Sequence, residues 1–238
     1  MAAQGYDSVT VDIQHGALDY SDVLPMFQAM QSSGATLIAR VPWRDPGYIM
    51  KALDVGAMGI ICPMINNSEE AAEFISYMRY PPLGQRSFGP TRVAVSVPDY
   101  GVEANDEVLA FAMIETADGV QNLEAIAATA GLDGIYVGPA DLTLGTQLGR
   151  LAPGLDRTED EMVTLIQKVA SVCKEYGLIA GIHCGTAEYA SKAIGWGYNL
   201  TTIGGDTRLL ASAAAASVSS WRKLTGRKEK AQVTGGVY

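Results

Sequence analysis

The sequence predicts a single β/α barrel of the TIM type, and three observations lead there. Short β-rich apolar runs alternate with helical patterns, as in chains of βαβ units that build a parallel sheet. Most of those runs are continuously apolar, as strands covered on both faces must be. Polar or unusual residues then gather where the runs end: His15, Arg40, Glu115, Asp141, His183 and Asp206. In a β/α barrel that edge is where chemistry is built. A doubly wound sheet is the alternative; it would use a switch-point crevice, and no GxGxxG follows any run.

The strand runs fall at 8–14, 36–41, 59–64, 108–115, 134–139, 179–184 and 200–206. A glycine stands a few residues before most of them, as in Gly131-Leu132-Asp133-Gly134 and Gly177-Leu178-Ile179. Glycine accepts the left-handed conformation at which a helix stops, so each case reads as helix end, tight loop, strand start. Helical patterns lie between, for example at 21–31 and 159–176, with Pro25 placed in the first turn or so of the former. Two long connections, 80–107 and 142–158, read as ordered excursions, of a length suited to lids, subunit contacts or passive surface loops. The barrel domain is expected over 1–222, followed by a polar tail at 223–238.

Composition narrows the function classes. The 238 residues suffice for one barrel, and 48% hydrophobic content with 18% charge suits a buried core. A net charge of −9 argues against nucleic acid and anionic membranes. No apolar run reaches the roughly 18 residues of a membrane helix. Cys62, Cys173 and Cys184 lack metal-ligand spacing and read as reduced thiols. With no signal peptide in the opening residues, the expected location is cytoplasmic.

Glu115 and Asp141 close two neighbouring runs, Ala112-Met113-Ile114-Glu115 and Tyr136-Val137-Gly138-Pro139-Ala140-Asp141. Twenty-six positions separate them, about one helix plus one strand, so the two acids emerge side by side at the sheet's carboxyl edge. Converging carboxylates repel unless a cation lies between them. Two carboxylates plus water suit Mg²⁺ or Mn²⁺, whereas zinc would want more His or Cys. The alternative is that each acid caps the helix after it. If a helix starts near Asp141, the amides of Ala140 and Asp141 can hold the carboxylate of a 2-oxo acid; otherwise they form an ordinary turn. Arg40 either pairs with Asp12 or Glu115 or stabilises charge on a keto oxygen. His15 is either a satisfied structural histidine or the candidate base; Asp54 is either a helix-end residue bonded to nearby backbone or the residue that orients His15. His183 reads as a core histidine, with a catalytic one as the alternative.

Six ordered motifs carry a resemblance: Asp12-Ile13-Gln14-His15-Gly16, Ala39-Arg40-Val41-Pro42-Trp43, Leu53-Asp54-Val55-Gly56-Ala57, Arg79-Tyr80-Pro81-Pro82-Leu83-Gly84, Met113-Ile114-Glu115-Thr116 and Val137-Gly138-Pro139-Ala140-Asp141-Leu142. From about residue 5 to 222 the chain resembles the HpcH/HpaI aldolases, the class II metal-dependent pyruvate aldolases. The resemblance implies a (β/α)8 barrel in a homo-oligomer, usually a hexamer in which paired subunits exchange a helix. It implies a divalent cation on Glu115 and Asp141, chelated by pyruvate or its enolate, with Arg40 stabilising the enolate and His15, paired with Asp54, as the base. Such lyases cleave 4-hydroxy-2-oxo acids to pyruvate and an aldehyde, and many catalyse oxaloacetate decarboxylation.

Three departures from the family pattern stand out. Gln14 replaces an acidic residue, and Met113 sits in the substrate-binding place where glutamine is frequent, as in the subgroup that includes macrophomate synthase. The first strand and helix of the family have no counterpart, which leaves seven strands for an eight-strand barrel. The segment 232–238 has some strand character that could fill the gap. A non-catalytic remnant with an incomplete barrel is therefore the alternative to an enzyme.

Overall fold

A computed structural model of the chain describes residues 1–230. Seven parallel strands form one sheet in sequential order: β1 (Ser8–Asp12), β2 (Thr36–Arg40), β3 (Gly59–Cys62), β4 (Leu109–Ile114), β5 (Gly134–Val137), β6 (Ile179–Ile182) and β7 (Leu200–Thr201). All seven expected strands are present, each shorter at its C-terminal end than its apolar run suggested. The expected seventh run stops at Thr201, and Asp206 begins a helix instead. Among the described residues β1 pairs only with β2 and β7 only with β6. The segment 232–238, expected to be able to fill that opening, lies outside the described residues.

Helices return the chain between strands: α1 (Tyr20–Met30), α2 (Pro46–Asp54), α3 (Ser68–Met78), α4 (Val93–Ser96), α5 (Tyr100–Glu107), α6 (Ala117–Gln121), α7 (Leu123–Ala127), α8 (Pro139–Gln147), α9 (Asp160–Tyr176), α10 (Ala187–Trp196) and α11 (Asp206–Leu224). Local chemistry sets their limits. Asp19 and Asp22 form a reciprocal capping box on α1. Asp45 caps α2 with Pro46 at its first position, where a missing N–H costs nothing. Gly177 and Gly197 end α9 and α10 at φ 70° and 107°, conformations that a Cβ disfavours. Pro25 differs from expectation. It is the sixth residue of α1, beyond the first turn, so the helix gives up one internal hydrogen bond there.

The sheet curls around an inner cluster of Ile38, Ile61, Phe111, Met113 and Tyr136. Its other face, with the helices, buries the larger core that includes Ala110, Ala112 and Ile114. Alternate residues of β4 thus point to opposite faces, and Glu115 continues the inward series of Phe111 and Met113. Fully burying one such Ile or Phe is worth roughly 1.5–3 kcal/mol. The connection at 80–107 is no bare loop, since it contains α4 and α5. Arg86 anchors it: the guanidinium is buried, bonds Asp54 at 2.7 Å and lies over the rings of Tyr80 and Tyr100. The terminal helix α11 buries none of its residues. It exposes Leu209, Leu210, Val218, Trp221 and Leu224.

Candidate active site

The register of the sheet brings Asp12 level with Arg40, Arg40 with Ile61, and Ile114 with Val137. Residues just past those positions therefore share one rim. Glu115 leaves β4 into this rim with only 2% of its surface exposed. Its Oε1 accepts the backbone N–H of Met64 at 2.8 Å. Burial pushes its pKa up to about 7; the Met64 hydrogen bond opposes that rise, the charge of Asp141 adds to it and Arg40 opposes it. Glu115 and Asp141 are thus electrostatic neighbours, as their spacing predicted.

Gly138 lets the two strand ends approach. A Cβ there would stand 2.3 Å from Met113 Cε and 2.7 Å from Glu115 Oε2. Gly138 is also the N-cap of α8, with Pro139, Ala140 and Asp141 in its first turn. The N–H groups of Ala140 and Asp141 lie before the first intrahelical bond, from Leu142 to Gly138, and are available to an anion. Met113 is buried in the inner cluster below.

Arg40 ends β2 and pairs with Asp12, its Nε donating at 2.9 Å and its Nη2 making the second contact. Of its two candidate partners, Asp12 is the one it takes. Burial would raise the Asp12 pKa, but the hydrogen bond and charge of Arg40 win and hold it below the usual carboxylate value. The Arg40 Nη1 takes no part in that pair. Tyr136 on β5 feels the Arg40 charge, and its hydroxyl lies 3.4 Å from His183 Nδ1. Burial, then the Arg40 charge, lowers His183 to about 4. His183 is therefore a neutral rim residue beside the site, where the sequence had suggested a core position. Tyr136 was not singled out from the sequence; its inward place in Ile135-Tyr136-Val137 was the available signal.

His15 lies in the loop after β1, its backbone N–H donating to Asp12 Oδ1 at 3.2 Å. Asp54 is placed elsewhere. It ends α2, which runs back along β2, and four residues later Met58 donates to Leu37 near the start of that strand. Within one chain Asp54 thus sits toward the amino edge of the sheet, away from the rim that carries Glu115.

The donor set can be weighed against a divalent cation. Among the described residues no group of three or more His, Cys, Asp or Glu side chains comes together. Two converging carboxylates, one held buried at a cost, suit a hard cation whose other positions go to water or a chelating substrate. The residues fit such an ion.

Comparison with known proteins resolves the family. The HpcH/HpaI aldolase/citrate lyase model matches residues 1–213. The chain belongs to this family. A hydroxypyruvate/pyruvate aldolase of Rhizorhabdus wittichii is 37% identical over 225 residues, covering 94% of this chain and 88% of the relative. An HpcH/HpaI aldolase structure from Desulfitobacterium hafniense superposes with a TM-score of 0.86 at 25% identity, covering 96% of this chain and 88% of that one. Macrophomate synthase superposes with a TM-score of 0.78 at 26% identity, covering 94% of this chain and 80% of that one. This HpcH/HpaI member is accordingly an enzyme, a carbon–carbon lyase of the aldolase type, on a curled seven-strand sheet consistent with the TIM-type fold.

Proposed function

We propose that the chain is a divalent-metal-dependent pyruvate aldolase. It cleaves small 4-hydroxy-2-oxo acids to pyruvate and an aldehyde, and decarboxylates oxaloacetate at the same site. The observation that carries this reading is the nearness of Glu115, just past the end of β4, to Asp141 in the first turn of α8, with buried Glu115 held at a raised pKa. Glu115 and Asp141 would hold Mg²⁺ or Mn²⁺. When bound, the cation supplies Lewis acidity at the substrate's keto oxygen.

The chain's own residues do the rest. The amides of Ala140 and Asp141 hold the substrate carboxylate at the start of α8. Arg40, braced by Asp12, turns its remaining N–H groups to the keto oxygen and stabilises negative charge there. His15 accepts the proton of the 4-hydroxyl as the C3–C4 bond breaks. The bonding pair becomes the C2=C3 double bond, the keto π pair moves onto its oxygen, the aldehyde leaves, and the proton held by His15 is returned to C3 to give pyruvate. With oxaloacetate the same electrons are released by loss of CO₂, so one charge-stabilising site serves both reactions. Met113 lines the floor beneath, where it offers the substrate an apolar contact and no hydrogen bond.

Because Asp54 sits toward the opposite edge of its own sheet, a His15–Asp54 pair is reached only between two copies of the chain. The uncovered face of α11 fits such an assembly, in line with the helix exchange and hexamer that the family resemblance implies. An eighth strand would close the opening between β1 and β7, where the family's first unit belongs. No helix among the described residues is long and apolar enough to cross a membrane. With the three described cysteines free and buried, we read the enzyme as cytoplasmic.

The test is a panel of oxaloacetate and several 4-hydroxy-2-oxo acids, with Mn²⁺ and with EDTA, scored by pyruvate release. Release that vanishes with EDTA and in Glu115→Ala supports the reading. Full turnover in EDTA would overturn it.

A further inference from the structure

Glu115 belongs to a closed circuit of hydrogen bonds that runs through the loop after β3. Met64 donates its N–H to Glu115 Oε1 at 2.8 Å. The Met64 carbonyl accepts Asn66 Nδ2 at 2.9 Å. Asn66 Oδ1 in turn accepts the hydroxyl of Thr116, the residue that follows Glu115. The circuit returns to its origin through one peptide bond.

Two features of the circuit bear on Glu115. Met64 has φ 58°, in the left-handed region that a side chain disfavours. Its conformation aims the N–H at Glu115, and the Asn66 bond to its carbonyl restrains the same peptide segment from the other side. The second feature is the direction imposed on the carboxylate. With Oε1 engaged by Met64, Oε2 faces Gly138, 2.7 Å from where a Cβ on that residue would stand. That is the side on which α8 carries Asp141.

We propose that Asn66 is a positioning residue that fixes the direction in which Glu115 presents its carboxylate to the cation. This rests on the metal reading above and adds a residue outside the ligand pair. Removing the Asn66 side chain frees Met64 to relax to an ordinary φ and to swing its N–H away from Glu115. The loop itself keeps other ties. Asn122 Nδ2 bonds the Asn66 backbone carbonyl at 2.8 Å, Glu70 accepts the Asn66 N–H at 2.7 Å, and Ile65 donates to Met113 at 3.3 Å. Folding therefore does not hang on the side chain, whereas the aim of Glu115 does.

The experiment measures Mn²⁺ dissociation constants by calorimetry on the purified full chain, with thermal midpoints of the metal-free proteins in parallel. Asn66→Ala is expected to weaken Mn²⁺ binding about tenfold or more, the usual effect of losing a partner behind a ligand. Thr116→Val opens the same circuit and also removes the cap of α6, where the Thr116 hydroxyl accepts the Gly119 N–H at 3.0 Å. It should weaken binding in the same direction with a lower thermal midpoint, and Thr116→Ser, which keeps both bonds, should restore binding to within about twofold. The double variant Asn66→Ala/Thr116→Val should cost less than the two single losses combined, since both break one circuit. Ile166→Val, in the buried face of α9, controls for general destabilisation. An Asn66→Ala affinity within about twofold of wild type, or a loss matched by Ile166→Val at equal thermal midpoint, overturns the proposal. Should Asn66→Ala not fold, Asn66→Ser, a polar side chain too short to reach both Met64 and Thr116, decides it on the same criterion. A wild-type chain that binds neither Mn²⁺ nor Mg²⁺ takes down the metal reading and this proposal together, whereas normal wild-type binding with unchanged variants removes the positioning role alone.

Discussion

Glu115→Gln should stabilise the metal-free protein, and the gain should depend on pH. In the folded chain burial raises the Glu115 carboxyl from 4.5 to about 7. Below the lower value both the folded and unfolded chains hold the proton, and the group costs nothing extra. As pH rises through this interval the unfolded chain loses its proton first, so wild-type stability falls until the folded group also ionises near pH 7. The interval corresponds to about 3 kcal/mol at about 1.4 kcal/mol per pH unit. Glutamine keeps the shape of the protonated acid, including an oxygen for the Met64 N–H, and carries no charge. In EDTA the variant and the wild type should differ by under about 1 kcal/mol at pH 5 and by about 3 kcal/mol at pH 8. For a chain of this size that is roughly 6–12 °C in thermal midpoint. Added Mn²⁺ should raise the wild-type midpoint at pH 8 and leave Glu115→Gln unmoved, since ligand linkage needs a binding site. The assay is thermal unfolding by circular dichroism from pH 5 to 8. A constant gap across that range, or a wild type more stable than the variant at pH 8 in EDTA, would refute the reasoning.

Two further outcomes follow from the site. His15→Ala and Asp54→Asn should each lower turnover, and mixing the two proteins under conditions of subunit exchange should recover part of it. Mixtures no more active than their parts would exclude a pair formed between copies. Arg40→Met should lower kcat about 10²–10³-fold, as loss of a charge-stabilising donor does. Its Mn²⁺ affinity should change far less than kcat, because Arg40 hydrogen-bonds Asp12 and reaches Glu115 only through its charge. Mn²⁺ binding by calorimetry beside steady-state kinetics separates the two effects.

The chain's local patterns were enough to predict seven parallel strands, a rim of polar residues past their carboxyl ends and the nearness of Glu115 to Asp141. Each of these follows from short-range rules. An apolar run buried on both faces has to be a covered strand, alternation along β4 sends Glu115 inward after Phe111 and Met113, and Gly138 then Pro139 mark a strand turning into a helix. The extent of the seventh strand, the helices within 80–107 and the interior place of Pro25 were not legible, because long-range packing overrides local preference at those points. Only the tertiary structure could choose Asp12 over Glu115 as the partner of Arg40, since that choice depends on the register between β1 and β2. The same holds for Asp54. The sequence offered it as a helix-end residue or as a companion for His15; it does end α2, and the returning helix carries it toward the far edge of the sheet, where Arg86 binds it. Sequence therefore determined which side chains the strands deliver to the rim. Distances between segments far apart along the chain are set by how strands register and helices return, and those alone decided which of the side chains meet.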